Sequence, residues 1–456
     1  MWKVWQERSH GSGLPDKKLV RSVRLTQWEP TLTGEVVPPK RRQRTPLEEA
    51  TLAQQTAAWC AEGVVERAPK LVWVNNTVLV PKKNGTMRAC LDCRPANAVT
   101  QDFDWPLPRL QDLRFRTKGA TWFTRLDLRN AFFRIGVPEK WRYLLGYEVG
   151  GQCYWFKRMP FGAKTAPATF QRFMDHGLAS CRDFSFWYID DVLVYASSLR
   201  ELRQRLVQVR KALERMKVEV NEDKSEYEQR SLLFAGIWVY GRGVGPNLVK
   251  AREALAIPSP RTKKEQQSAL GLVSYLRDYI PLASAFTARL HARKDDDVSP
   301  VEYEAQWGRL MRHISRALCT LGHWSEEEEA DLYTDASGLA AAAVLIQQGR
   351  IVAVASRKLT PTEMKYSTTD REHLSILLAA QRFRIFLHRR GSVTRVHNDH
   401  WANMSRKTDN MTPRQTRWFF QIDQWIPHVR HVRGIDNPAD FFSRWGLENW
   451  GGAVRT

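Results

Sequence analysis

Apolar and polar positions along this chain change rhythm several times, and each change marks a segment. Residues 1–46 have little apolar periodicity, several Pro and Gly and a basic cluster at 40–44, which predicts an arm lying on a surface or partly disordered. Thr45-Pro46-Leu47-Glu48-Glu49 sets a capping threonine before a first-turn proline and acids, predicting a helix to about Glu62, where Gly63 stops it. Two strands, 77–80 and 87–92, follow across a Lys-Lys-Asn-Gly turn. In 123–135 apolar residues stand on both sides of a single Asp127, as in a central strand running into a helical turn. Residues 159–175 give a Gly-containing turn entering a helix, whose first amides and Lys164 are placed to meet an anion or a base pair.

The chain is organised around 186–195, F-W-Y-I-D-D-V-L-V-Y, which predicts two strands with Asp190-Asp191 at the tight turn. An Arg- and Lys-rich amphipathic helix (198–217) and a hairpin within 221–241 come next. After Pro258 and Pro260, helices are expected at 263–278, 282–293 and 300–321. The acids at 326–329 then open a new pattern: strand, turn and strand through D-L-Y-T-D-A-S-G-L-A-A-A-A-V-L-I-Q. A helix at 369–386, a strand ending in V-H-N-D-H and a helical turn N-P-A-D-F-F-S-R complete an α/β domain. The fold class expected is a multidomain α+β and α/β chain.

With 456 residues there is room for two to four cores, and Lys and Arg outnumber Asp and Glu by 70 to 49, a net +21. Such a surplus points to a polyanionic partner. The longest clean apolar run, 339–346, is far too short to span a bilayer, and no basic amphipathic helix of the membrane-surface kind stands out. No apolar signal segment opens the chain, so an intracellular protein is expected, in a cytoplasmic particle or the nucleus, with the sequons at Asn75, Asn403 and Asn410 chance matches. Six scattered cysteines read as reduced thiols in or near the core; Cys90-Leu-Asp-Cys93 lacks a second ligand pair. The 18 Trp suit stacking on bases where they are not core.

Two carboxylates wedged between apolar strands repel each other and are most easily held by a divalent cation; magnesium favours a few carboxylates plus phosphate oxygens. Asp127 supplies a third acid. Lys82, Lys83 and Arg88 make a cationic finger, although a solvated charged turn has the same composition. Asp335, Glu372, Asp399 and Asp440 fall on four successive elements, and Asp335 and Asp399 end apolar strands, where a carboxylate is more often functional than decorative.

In order, L-V-P-K-K-N-G-T-M-R, L-D-L-R-N-A-F, M-P-F-G, A-P-A-T-F-Q, Y-I-D-D-V-L-V-Y, A-L-G-L-V-S-Y-L-R-D-Y-I, T-D-A-S and H-V-R-G-I-D-N-P-A-D-F-F-S-R run from Leu79 to Arg444, within a match that covers about Arg41 to Trp445. This series resembles the reverse transcriptase–ribonuclease H segment of gypsy-type LTR retrotransposons and retroviruses. The resemblance implies a right-hand polymerase of fingers, palm and thumb followed by a ribonuclease H-like domain. The divisions expected are a basic arm at 1–46, fingers and palm at 47–243, a helical thumb with a short connection at 244–322, and the nuclease at 323–456.

The resemblance also implies that Asp127, Asp190 and Asp191 hold two magnesium ions for polymerisation, with Asp191 the least directly involved, and that manganese can substitute. Lys82 and Arg88 then clamp the triphosphate, Phe132 excludes a 2′-hydroxyl, Phe161 and Gly162 floor the nucleotide pocket, and Lys224 lies near the incoming phosphates. Asp335, Glu372, Asp399 and Asp440 become the nuclease carboxylates around two further magnesium ions, with His431 at the spacing of a mobile histidine or a plain surface residue. Implied partners are an RNA template, a DNA primer, RNA–DNA hybrid and dNTPs, with no membrane; dimers are common among relatives, so a homodimer is compatible.

Two departures are local: A-K-T-A-P follows Phe161-Gly162 where relatives carry another pair, and Asp370-Arg371 replaces a usual Glu-Lys. Neither a protease motif nor an integrase zinc head is found, so a processed product or polyprotein fragment is expected. Two readings stay open: an enzyme, or a co-opted element that binds hybrid without catalysis. The seven intact carboxylates favour the enzyme.

Overall fold

The computed structural model describes residues 27–35, 37–69, 74–81, 87–281, 283–291, 300–387, 394–398, 411–423 and 429–431. The chain divides into two compact units, one drawing on residues up to Arg109, Thr124–Tyr195 and Leu199–Glu228, the other on Leu110–Phe123, Ala196–Ser198 and the chain from Gln229 onward.

The first unit opens with α1 (Pro46–Ala61), started by a full capping box: Thr45 Oγ1 accepts the Glu48 N–H and the Glu48 carboxylate accepts the Thr45 N–H. The helix buries Leu52, Thr56 and Trp59, and the Trp59 ring meets Phe156 edge-on at 5.1 Å. Phe156 closes β6 (Gln152–Phe156), the middle strand between β1 (Val65–Arg67) and β5 (Gly146–Val149). The predicted basic hairpin is β2 (Thr77–Pro81) against β3 (Met87–Leu91), with Pro81 opposite Met87, and α2 (Arg94–Ala98) follows. The sheet that matters most has the order β7-β8-β4-β9: β7 (Ser185–Tyr188), β8 (Asp191–Ala196), β4 (Trp122–Leu128) and β9 (Val220–Gln229). On one face of β4 Leu126 and Leu128 are buried; on the other Phe123 is buried and Asp127 is half-buried near the strand's end. Helices α3 (Ala166–Gly177) and α4 (Leu199–Arg215) belong to the same unit.

In the second unit β10 (Ser231–Phe234) and β11 (Ile237–Tyr240) turn at Ala235-Gly236, with φ of 45° and 87°, the double left-handed geometry of a tight hairpin. Then β12 (Gly243–Pro246) leads to four helices, α5 (Leu248–Leu255), α6 (Lys263–Leu276), α7 (Ala283–His291) and α8 (Pro300–Ala317). Their shared core includes Ala254, Leu276, Leu310 and Ile314. A strand pair, β13 (Leu321–Gly322) on β12, precedes the last sheet.

That sheet has the order β16-β15-β14-β17-β18, from β14 (Ala330–Ala336), β15 (Ala340–Gln347), β16 (Arg350–Lys358), β17 (Thr394–Asn398) and β18 (Val429–His431). Its β14–β15–β16 part is antiparallel; β17 and β18 join in parallel. Every residue of β15 is buried, which explains its unbroken A-A-A-A-V-L-I run. Ala341, Ala343 and Leu345 meet α9 (Thr368–Arg382) through Leu374 and Leu377, while Ala342, Val344 and Ile346 pack with Tyr333 and Val354 on the other face. Helix α10 (Pro413–Asp423) lies against α9.

All six cysteines are free thiols, as expected, but Cys60, in the last turn of α1 and outside its buried Leu52, Thr56 and Trp59, is exposed. No described helix is long and apolar enough to cross a membrane.

Candidate active sites

The acidic hairpin is tighter than its sequence suggests. Tyr188 pairs with Asp191, so the turn consists of Ile189 and Asp190 alone, and Asp191 already belongs to β8. Ile189 adopts φ 55°, a left-handed conformation that a β-branched residue rarely takes. The Leu128 N–H donates to the Asp190 carbonyl at 3.0 Å, which bonds the strand carrying Asp127 directly to the turn carrying Asp190. On the far side, the Asp127 N–H donates to Ser225 Oγ at 3.1 Å, and Ser225 donates to the Asn221 carbonyl at 2.7 Å. Backbone pairing thus brings the strand of Asp127 beside the hairpin of Asp190 and Asp191, some sixty residues further along the chain.

Their electrostatics agree. Burial, the neighbouring Asp190 charge and, less strongly, Asp127 push the Asp191 carboxyl up to about 6, with Arg125 pulling the other way. Asp190 is raised in the same direction by desolvation and by Asp127, and Lys224 on β9 opposes the rise. Lys224 therefore reaches the acids with its field, although it is exposed. Carboxylates that raise one another lack positive charge, so the residues fit a divalent cation. Among the described residues no three or more His, Cys, Asp or Glu side chains are gathered closely enough to hold a metal on their own.

Beside the acids, Asn130 at φ 48° turns the chain so that Phe132 meets Phe161 edge-on at 5.2 Å and Phe170 at 5.6 Å. The Arg88 guanidinium lies over the Phe161 ring at 5.3 Å. Gly162 holds φ +101°, and a Cβ there would stand 3.4 Å from the Leu91 carbonyl oxygen. Asn97 on α2 clasps this loop from both sides, donating to the Gly162 carbonyl and accepting from the Lys164 N–H, each at 2.8 Å. Lys164 itself does not present a free cation: its ammonium pairs with Asp102 at 2.8 Å and donates to the Thr100 carbonyl. Lys82 lies outside the described residues.

In the second unit Asp335 sits near the end of β14 opposite Ala342. Glu372, on α9, is only 4% exposed. One of its oxygens accepts the Ala336 N–H at 3.3 Å and the other accepts Asn398 Nδ2 at 3.1 Å. Asn398 is fully buried and also donates to Thr334 Oγ1. The neighbours of Asp335 and of Asp399 in sequence therefore hold Glu372 between them. Asp399 and Asp440 lie outside the described residues, and His431 is the last residue of β18.

Family models match both regions: "Reverse transcriptase (RNA-dependent DNA polymerase)" over residues 80–239, and "RNase H-like domain found in reverse transcriptase" over 325–425. The chain carries a reverse transcriptase domain followed by a ribonuclease H-like domain. Domains of both kinds generally depend on divalent metal ions. The chain is 27% identical over 447 residues to the Transposon Tf2-3 polyprotein of Schizosaccharomyces pombe, covering 94% of this chain and 33% of that protein. It is 29% identical over 388 residues to the Retrovirus-related Pol polyprotein from transposon 297 of Drosophila melanogaster, covering 82% and 36%. It thus spans about a third of the length of these relatives, both of them consistent with the gypsy type.

Among solved structures, the foamy viral protease-reverse transcriptase in complex with dsDNA matches at TM-score 0.74 and 20% identity, covering 91% of this chain and 92% of that one. The same enzyme in complex with RNA/DNA hybrid matches at 0.72 and 19%, covering 91% and 59%. The polymerase fold, with a ribonuclease H-like domain behind it, is shared. Sequence reading missed Asn97, which holds the Gly162–Lys164 loop, Gln171, which accepts the Ile189 N–H, and Asn398, which holds the Glu372 carboxylate. The available signal was weak: an amide side chain among apolar neighbours, as in A-T-F-Q-R-F or V-H-N.

Proposed function

We propose that this chain is an RNA- and DNA-directed DNA polymerase with ribonuclease H activity on RNA–DNA hybrids, copying a retroelement RNA into DNA. The observation that carries it is the Leu128–Asp190 backbone bond, which brings the strand of Asp127 beside the hairpin of Asp190 and Asp191, two acids raised by burial and by like charge. Asp127, Asp190 and Asp191 would hold magnesium in the polymerase site, and Asp335, Glu372, Asp399 and Asp440 in the nuclease site. Bound there, such ions would supply charge to activate the attacking hydroxyl or water and to neutralise the leaving oxygen, and manganese would stand in for magnesium.

The chain's own residues bind and orient. Arg88 offers bidentate contacts to a triphosphate, assisted by Lys82 and by the field of Lys224. Phe132, wedged against Phe161 and Phe170, fills the space a 2′-hydroxyl would need. Gly162, at a φ of +101° that side-chain-bearing residues rarely adopt, shapes the turn at the pocket floor. The +21 charge suits a surface that follows template and primer backbones, with affinity falling steeply as salt rises. Hybrid is recognised by backbone shape and 2′-hydroxyls rather than by sequence. The functional divisions proposed are 47–243 for fingers and palm, 244–322 for the thumb, and 323–456 for the nuclease.

Primer extension on a poly-A template with magnesium tests the first activity, and cleavage of the RNA strand of a hybrid tests the second. Asp190→Asn is expected to abolish extension and keep cleavage, and Asp335→Asn the reverse. Unchanged extension in Asp190→Asn overturns the site assignment; absence of both activities in the intact chain favours a binding module.

A further inference from the structure

Ile189 is a β-branched residue held at φ 55° in the turn that presents Asp190. Such a backbone is strained and persists only where its surroundings over-determine it. The restraint is visible. The Ile189 N–H donates to Gln171 Oε1 at 2.9 Å, from a Gln171 side chain that is fully buried on α3. An amide can face this N–H with its oxygen only if its nitrogen has an acceptor elsewhere. Gln171 Nε2 donates to Asp175 Oδ1 at 2.9 Å, one helical turn on.

Asp175 is itself fixed from two further directions. Trp187 Nε1 donates to its Oδ1 and Trp105 Nε1 to its Oδ2, each at 2.7 Å. Trp187 stands on β7, two residues before the strained turn, and Trp105 comes from the segment after α2. One carboxylate therefore receives three N–H donors, and its polarity passes through the Gln171 amide to the Ile189 N–H.

We propose that Asp175 is a positioning residue of the polymerase site: by accepting from Trp105, Trp187 and Gln171 it locks the Gln171 amide in the one orientation that holds the Ile189-Asp190 turn. Asp175 touches no substrate. This inference rests on the reading of Asp190 as a polymerase acid.

Donor and acceptor logic sets the test. Asp175→Asn offers one acceptor oxygen and one N–H₂ to three donors, so at least one of Trp105, Trp187 and Gln171 loses its acceptor and the clamp on the Gln171 amide loosens. Gln171→Glu keeps an acceptor for Ile189 but sets a second carboxylate against Asp175. The double variant Gln171→Glu/Asp175→Asn restores the pairing between the two side chains, leaving one indole unpaired. In the full chain, Asp175→Asn should lower kcat for primer extension roughly 10- to 100-fold, the scale of an ångström-sized misplacement, with KM for dNTP within about twofold. Gln171→Glu should do the same, and the double variant should recover part of the loss, so the two changes are non-additive. Hydrogen exchange of the peptide covering residues 186–191 should quicken in both single variants. Hybrid cleavage by the same chain should stay at the wild-type rate, which separates the effect from misfolding. Wild-type kcat and unchanged exchange in Asp175→Asn overturn the inference, as does a double variant worse than the product of the singles. If the intact chain extends no primer, the polymerase reading fails first, and quickened exchange at 186–191 alone then still reports the lock on the turn.

Discussion

Asn398 Nδ2 lies 3.1 Å from Glu372 Oε2, and the same amide reaches Thr334 Oγ1 at 3.1 Å. A carboxylate as buried as Glu372 needs such donors, because an unpaired charge away from water is far more costly than a paired one. The residue before Asp399 thus fixes the acid on α9 against the end of β14.

Replacing Asn398 with Asp turns that donor into a like charge. Asn398→Asp is expected to lower hybrid cleavage at least about tenfold, from loss of one charge-assisted bond and the added repulsion, while primer extension stays unchanged. Parallel rate measurements of the two activities check this. Equal losses in both would mean that the variant unfolds the chain rather than disturbing the nuclease acids.

Phe132 owes its orientation to the rings of Phe161 and Phe170. Phe132→Val should leave the acids untouched and open the space beneath the sugar. Incorporation of ribonucleotides relative to deoxyribonucleotides should rise roughly 10- to 100-fold, the range over which an apolar wall discriminates by size. Competitive single-nucleotide incorporation measures the ratio; a constant ratio would place the sugar elsewhere.

Arg357 makes a two-pronged pair with Glu363 at 2.7 and 2.9 Å, and Glu363 also accepts the Thr360 N–H at 2.8 Å. These bonds, led by Arg357, hold the Glu363 carboxyl down to about 2. A carboxyl depressed on folding adds stability that is complete above its ordinary value of 4.5 and is lost as pH falls toward 2. Glu363→Gln should therefore destabilise the second unit by about 1–2 kcal/mol at pH 7, after allowance for the partial exposure of Arg357. Denaturant midpoints of the two proteins should converge between pH 4.5 and 2. A gap that persists at the acid end would assign the effect to packing.

Local chemistry explains what could be read from the residues. The Asp190-Asp191 hairpin, the capped α1, the basic hairpin and the all-apolar β15 each announce themselves within ten residues, through turn preference, capping or an uninterrupted apolar run. The left-handed Ile189 was illegible, since nothing in F-W-Y-I-D-D says that a glutamine eighteen residues upstream will hold it. Lys164 looked free because its partner, Asp102, lies sixty-two positions away. Cys60 was expected near the core on composition, but the buried stripe of α1 passes through Leu52, Thr56 and Trp59 and leaves it outside. Asp399, Asp440 and Lys82 fall outside the described residues, so the placement of these three rests on resemblance alone.

Replacing magnesium by ferrous ion and generating hydroxyl radicals cuts the backbone beside each bound metal, and so measures directly where the acids act. Cuts are predicted in the full chain next to Asp127, at 189–191, and around Ala336, Glu372 and Asn398, all suppressed by excess magnesium, with Asp190→Asn removing only the first two groups. Cuts spread along the chain, or confined to segments away from these residues, would contradict the proposal that two separate carboxylate pockets on one chain hold the metal ions for both reactions.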